Sequence, residues 1–307
     1  MNTPKNANFF MFLLLIFLVF VVNIIMVVVL KIFPTLIEAK NIWIFQSMAS
    51  FFSFLLPMFL YMWVKKIKFK DVIPLKPLSL KNFLIIIFMS FTFQPILQLI
   101  GNITNIFFKD KISDIIYVFA SLSYPKALFV TAIVPAITEE LAFRGVILSG
   151  YKKTSVLVGC LMSSLYFGIM HLTLTQVFYT IAAGVLFAYV VKITKSIYAS
   201  IIMHFMLNGT QITIAHILTK ILPEQTQSFQ DTKVGIGELV SSTIPVIVTL
   251  PLLVFSVYLF VKENKTEIEN LKNEHNLIKN SNDKPKVLTL FFYINIAIFL
   301  GYILLKK

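Results

Sequence analysis

Two adjacent glutamates, Glu139 and Glu140, precede Arg144 inside the apolar run from Ala132 to Leu148. An ionisable side chain at bilayer depth is costly, so such residues mark functional sites by default. Helical spacing sorts the three. Glu140 and Arg144 are i and i+4, the separation at which an acid pairs with a following base on one face. Glu139 points about 100° away. An arginine that neutralises Glu140 makes that pair tolerable in lipid and leaves Glu139 for another task.

Two further apolar stretches carry polar groups at the same spacing. Phe167 and His171 are i and i+4 in one, with Gly168 leaving room for a close helix approach. His204 and Asn208 are i and i+4 in the other and face one way. A lone membrane histidine ordinarily serves as a helix-to-helix hydrogen-bonding residue. Here two of the four histidines lie deep in apolar segments at depths comparable to the glutamates.

A carboxylate, an imidazole and an amide donor converging in an apolar cavity suit hydrolysis. The carboxylate takes a proton from water and passes it to a leaving group. The imidazole and amide hold the water or stabilise a tetrahedral oxyanion. Other routes to intramembrane proteolysis lack their parts. No histidine is followed by glutamate, which excludes the His-Glu-x-x-His zinc motif. Ser200 precedes His204 by one turn, but there is no Gly-x-Ser-Gly and no third group. The five aspartates, Asp71, Asp110, Asp114, Asp231 and Asp283, fall outside the apolar stretches. A glutamate-based site is what remains.

The elements that must position these residues follow from composition. With 58% hydrophobic and 13% charged residues and a mean hydropathy of +0.85, the chain exceeds what a water-soluble core can bury. Stretches able to span a bilayer, about 20 residues each, lie near 9–30, 42–64, 82–104, 126–149, 155–172, 175–192, 197–217, 240–261 and 287–305. The expected fold is an all-α, polytopic transmembrane helix bundle of eight or nine spans. Trp43 and Trp63 bracket the second span as interfacial aromatics do. The first span is too long for a signal peptide and lacks a small-residue cleavage pattern. The lone Cys160 is expected to be a core thiol.

The net charge of +13 does not imply nucleic acid, because the lysines crowd short loops beside the spans. Lys65, Lys66, Lys68, Lys70, Lys76 and Lys81 follow the second span, and Lys152, Lys153, Lys192 and Lys195 fill two later loops. The positive-inside rule makes these loops cytoplasmic, and the N-terminus with them. An odd number of spans then places Lys306 and Lys307 outside. The segment from Lys262 to Lys286 mixes six lysines with five acids. With Ile268, Leu271 and Ile278 at helical spacing, it reads as a solvated helix or tether to an accessory last span.

At 1.5 Å per residue, Glu139 lies ~16 Å from Gly150, and His204 and Asn208 lie ~12 and ~18 Å from Ser196. These converge near the midplane. His171, ~24 Å from Ser155, fits only if its span starts late, tilts, or reaches the site from the far side. Bland readings suffice elsewhere. Gln94, Pro95 and Gln98 kink the third span and turn polar groups inward. Pro135 opens the helix before Glu139 and frees the Thr131 carbonyl for water or substrate. His216 and His275 read as solvated.

Taken in order, the motifs Glu139-Glu140-Leu-Ala-Phe-Arg144-Gly145, Phe167-Gly-Ile-Met-His171 and His204-Phe-Met-Leu-Asn208 resemble the signature of a known family. It is the CAAX-protease and bacteriocin-processing group (CPBP, also called Abi) of intramembrane proteases. The resemblance covers about residues 120–215. It implies a catalytic core of four helices, with Glu139 as general base, His171 assisting, His204 and Asn208 stabilising the intermediate, and Glu140 and Arg144 supporting. It also implies a peptide or membrane-protein substrate reached within the lipid bilayer, and no cofactor. Members were first described as metalloproteases, and Glu139, His171 and His204 are the ligands a catalytic zinc would take.

The chain accordingly divides into N-terminal helices (1–120), a protease-like core (121–217), an outer loop with the following span (218–261), a charged linker (262–286) and a C-terminal span (287–307). The expected location is the cytoplasmic membrane. A non-catalytic immunity or scaffold protein of the same fold is the alternative. A proton-coupled transporter is a third class, which neither inverted repeats nor paired broken helices favour.

Overall fold

Each of the nine apolar stretches coincides with a helix in a computed structural model, which describes residues 3–38, 40–108, 118–221, 235–280 and 285–305. The long helices are α1 (Pro4–Ile32), α2 (Ile42–Val64), α3 (Leu80–Phe107), α4 (residues 124–150), α5 (Val156–Met170), α6 (Leu174–Thr194) and α7 (Ile197–Ile221). Beyond them lie α8 (Ile236–Glu263), α9 (Lys265–Asn280) and α10 (Leu290–Leu305). Six of these, α1, α2, α3, α6, α7 and α8, are long and apolar enough to cross a membrane. Helix α4 has the length but carries the buried charges, while α5 and α10 are shorter. The chain is an all-helical, multi-pass membrane bundle. Asp110, Asp114, Asp231, Asp283, Lys306 and Lys307 lie outside the described residues.

Proline explains where two of the helices widen. A proline has no N–H and its ring crowds the carbonyl four residues back. Pro57 and Pro135 each follow a π-helical turn, Phe51–Leu55 and Phe129–Ile133, that holds those carbonyls, Ser53 and Thr131. A further π turn, Leu141–Ile147, begins directly after Glu140 and contains Arg144. Such bulges in α-helices frequently sit at functional sites.

Helices α4 to α7 form the centre, with α3 packed on α6 and α7, and α8 packed on α3. The lysine-bearing loops meet at one end. Leu75 bridges Ser196, with Lys76 N donating to the Lys195 carbonyl at 3.2 Å and Ile197 N to that of Pro74 at 2.7 Å. Lys152 Nζ donates to the Asp71 carbonyl at 2.8 Å. The charged linker is helical as expected, with Ile268, Leu271 and Ile278 all half-buried. It is also docked. Glu267 pairs with Lys76 and Lys195, each at 2.9 Å.

The C-terminal span is likewise built in. Buried Asn8 on α1 donates to the Val287 carbonyl at 2.9 Å and Thr289 Oγ1 at 2.8 Å. Its Oδ1 accepts from the hydroxyls of Tyr151 and Tyr166, the latter at 2.7 Å, and its carbonyl from Asn295 Nδ2 at 3.0 Å. The network ties both ends of the chain to α5 and the foot of α4.

Lys195 and Lys76 hold the Glu267 carboxyl down at about 2. A carboxyl depressed below its unfolded value, about 4.3, stabilises the docked helix above that value and stops doing so as pH falls towards 2. Spin labels on Lys68→Cys and Asn270→Cys should report α9 close to the bundle at pH 7. They should report it released at pH 2, and released at pH 7 by Glu267→Gln.

Candidate active site

The candidate site residues come from three helices whose geometry follows from their sequence. On α4, Glu140 is fully buried and its Oε1 accepts from Arg144 Nη1 at 2.7 Å, the i, i+4 pair expected from spacing. The same oxygen accepts from His204 Nδ1 of α7 at 2.9 Å. Glu140 is thus a crosslink between α4 and α7. Glu139 is half-buried and makes no hydrogen bond or ion pair among the described residues. It lies within electrostatic reach of His204, Glu140 and Arg144.

His171 reaches the site from the far end of its helix, which accounts for its awkward depth. Helix α5 stops after 15 residues with His171 as its C-cap. Leu172, in the left-handed region at φ 54°, then reverses the chain into α6. His171 Nδ1 lies 2.8 Å from the Phe167 carbonyl. A carbonyl only accepts, so Nδ1 carries a proton, and in the neutral ring Nε2 keeps a lone pair.

The Thr131 carbonyl, read from the sequence as free for water or substrate, has a protein partner. It accepts from Asn208 Nδ2 at 3.0 Å, so the acceptor displaced by Pro135 fixes the Asn208 amide across α4 and α7. One amide N–H of Asn208 remains for another acceptor. Other expectations also need correction. His216 is buried, with Nδ1 donating to the Ala120 carbonyl at 2.8 Å and its ring against Tyr124, because α7 runs on beside the 118–124 segment. Gln98 is exposed and donates to Asn102 at 2.9 Å, whereas Gln94 does turn inward to Thr210. Cys160 is a buried thiol as expected. Ser200 is buried and donates to the Ile197 carbonyl, a poor setting for a nucleophile.

The Phe167 motif position has a physical role. The Arg144 guanidinium carbon sits 4.3 Å from the Phe167 ring centroid. The same ring stands edge-on to His171 at 5.1 Å and near His204 at 5.8 Å. Ser163 Oγ ties α5 to the π turn by donating to the Phe143 carbonyl at 3.0 Å. Two site neighbours escaped the sequence reading, Phe187 and Gly184 of α6. Phe187 lies 5.1 Å from Arg144 and 5.8 Å from the His204 ring. A Cβ on Gly184 would lie 3.0 Å from Arg144 Nη2. Neither has a signal in the sequence, where Phe187 is one of 31 phenylalanines in the chain.

Gly168 does what its spacing suggests. A Cβ there would lie 2.7 Å from Ile181 Cγ1 and 3.0 Å from the Val177 carbonyl oxygen, and backbone cannot yield cheaply. Gly168→Ala should lower stability by about 1–3 kcal/mol, the usual cost of overpacking, measured by denaturation in detergent.

Among the described residues no three His, Cys, Asp or Glu side chains gather closely enough to hold a metal ion. The trio Glu139, His171 and His204 does not meet that condition as placed.

Residues 121–210, which contain all three motifs, match the family model described as type II CAAX prenyl endopeptidase Rce1-like. The resemblance read from the motifs holds over that segment. The chain is also 38% identical over 85 residues to a Bacillus subtilis (strain 168) protein named "Putative membrane peptidase YdiL". That match covers 27% of this chain and 35% of the relative, so the two are aligned over about a third of the relative's length. No solved structure matches.

Proposed function

We propose, from an Rce1-like core that holds every motif residue, that this protein is an intramembrane endopeptidase using a glutamate-activated water. The observation that carries the reading is the unequal state of the two glutamates. Glu140 is consumed by Arg144 and His204, while its neighbour Glu139 is left without a hydrogen-bond partner among the described residues.

Glu139 takes a proton from water as the oxygen attacks the scissile carbonyl, then delivers it to the leaving amine. The Nε2 lone pair of His171 accepts from the same water and orients it. The oxyanion forms opposite, where Asn208 offers the N–H that Thr131 does not use. His204 donates to Glu140 from Nδ1, and a ring that also donates to the oxyanion from Nε2 is the imidazolium. Glu140 and Arg144 hold His204 in place. No cofactor is part of this proposal.

By the lysine distribution, the protein sits in the cytoplasmic membrane with its N-terminus and the lysine-rich loops inside. Substrates are peptides or membrane proteins that enter the bundle from the bilayer. A leader or signalling peptide suits such a site as well as a prenylated tail. The test is cleavage of a quenched fluorescent peptide library by purified protein in nanodiscs, before and after chelator. Cleavage indifferent to chelator supports the reading. Cleavage lost to chelator and restored by zinc replaces it with a metal-dependent one.

A further inference from the structure

We infer that Phe187, on α6, is a positioning residue that acts on His204 through Arg144 and Glu140, an inference that rests on the peptidase reading. Arg144 is the only arginine of the chain. It is 1% exposed, and of its three nitrogens only Nη1 has a hydrogen-bond partner among the described residues. A buried cation so sparsely bonded is costly unless something else offsets its charge. Two aromatic faces do so, Phe167 at 4.3 Å and Phe187 at 5.1 Å from the guanidinium carbon, within the range at which a ring quadrupole attracts a cation.

The two rings are not equivalent. Phe167 shares a helix with His171 and is placed by that helix's own turn. Phe187 comes from α6 and packs at 5.8 Å, tilted by 34°, on the His204 ring as well. Gly184, one turn earlier, keeps the space beside Arg144 Nη2 that any side chain would fill. Arg144 and His204 share one acceptor atom, Glu140 Oε1. A shift of the guanidinium therefore moves the carboxylate and, with it, the imidazole. Phe187 closes this loop from outside α4 and α7. Its ring, rather than its bulk, is what matters.

The experiment replaces Phe187 with phenylalanines carrying one, two and three ring fluorines, which keep the shape and progressively weaken the quadrupole, and with leucine. The expected result is a graded fall in kcat with fluorination, reaching roughly ten-fold in Phe187→Leu, with KM within about two-fold. A kcat flat across the fluorinated series overturns the inference, since a merely structural ring tolerates fluorine. Arginine labelled with nitrogen-15 gives a second readout that needs no substrate, because Arg144 alone is labelled. Its side-chain signals should move stepwise with fluorination. Unmoved signals overturn the inference even if no peptide is cleaved, whereas failure of the peptidase reading shows as a wild type that cleaves nothing while the signals still move.

Discussion

Glu139→Gln is expected to reduce peptide cleavage by about 10² to 10⁴-fold, the span ordinarily lost with a general base, while the protein melts as the wild type does. The side chain is half-buried and has no hydrogen-bond partner among the described residues, so an amide of the same size breaks no hydrogen bond among them. What is lost is the capacity to accept a proton from water. KM should change little, because the carboxylate acts on water rather than on the peptide. A turnover assay and a thermal melt on the same preparation separate the two effects. A substitution that left turnover intact would move the base elsewhere, and His171 would be next in line.

Arg144→Met should have the largest effect on stability. Removing one partner of a fully buried pair strands the other, at a cost of about 3–5 kcal/mol. Glu140 would lose the cation that neutralises it and keep the His204 hydrogen bond, and both phenylalanine rings would lose the cation they face. Arg144→Lys should not rescue it, since an ammonium lacks the planar group that lies between two rings while donating to a carboxylate. The double variant Glu140→Leu with Arg144→Met should be more stable than Arg144→Met alone, because no uncompensated charge remains. Denaturation in detergent of these variants and of Glu140→Leu alone completes the cycle, and the sign of the double-mutant coupling decides.

Much of the fold was legible because a bilayer enforces it. Apolar length placed every long membrane helix, and helical periodicity anticipated the Glu140 to Arg144 pair, the shared face of His204 and Asn208, and the half-buried stripe of α9. The remainder lies in contacts that periodicity cannot carry. The Asn208 amide meets Thr131 because Pro135 widens one turn of another helix. His216 reads as solvated near a helix end, yet the 118–124 segment covers it. The last span reads as an accessory, yet Asn8, an unremarkable polar residue near the N-terminus, bonds to it and to the segment before it. Phe187 has no legible signal because aromatic residues in apolar helices are common, and only the guanidinium beside it gives it a role.

The central claim is that two adjacent glutamates do different work, Glu140 holding the helices together and Glu139 reacting. Glu139→Gln and Glu140→Gln, purified side by side and measured for both melting temperature and peptide cleavage, test it most directly. The expected result is a Glu139 variant as stable as the wild type and inactive, and a Glu140 variant that melts well below both. A Glu139 variant that still cleaves, or a Glu140 variant as stable as the wild type, would contradict it.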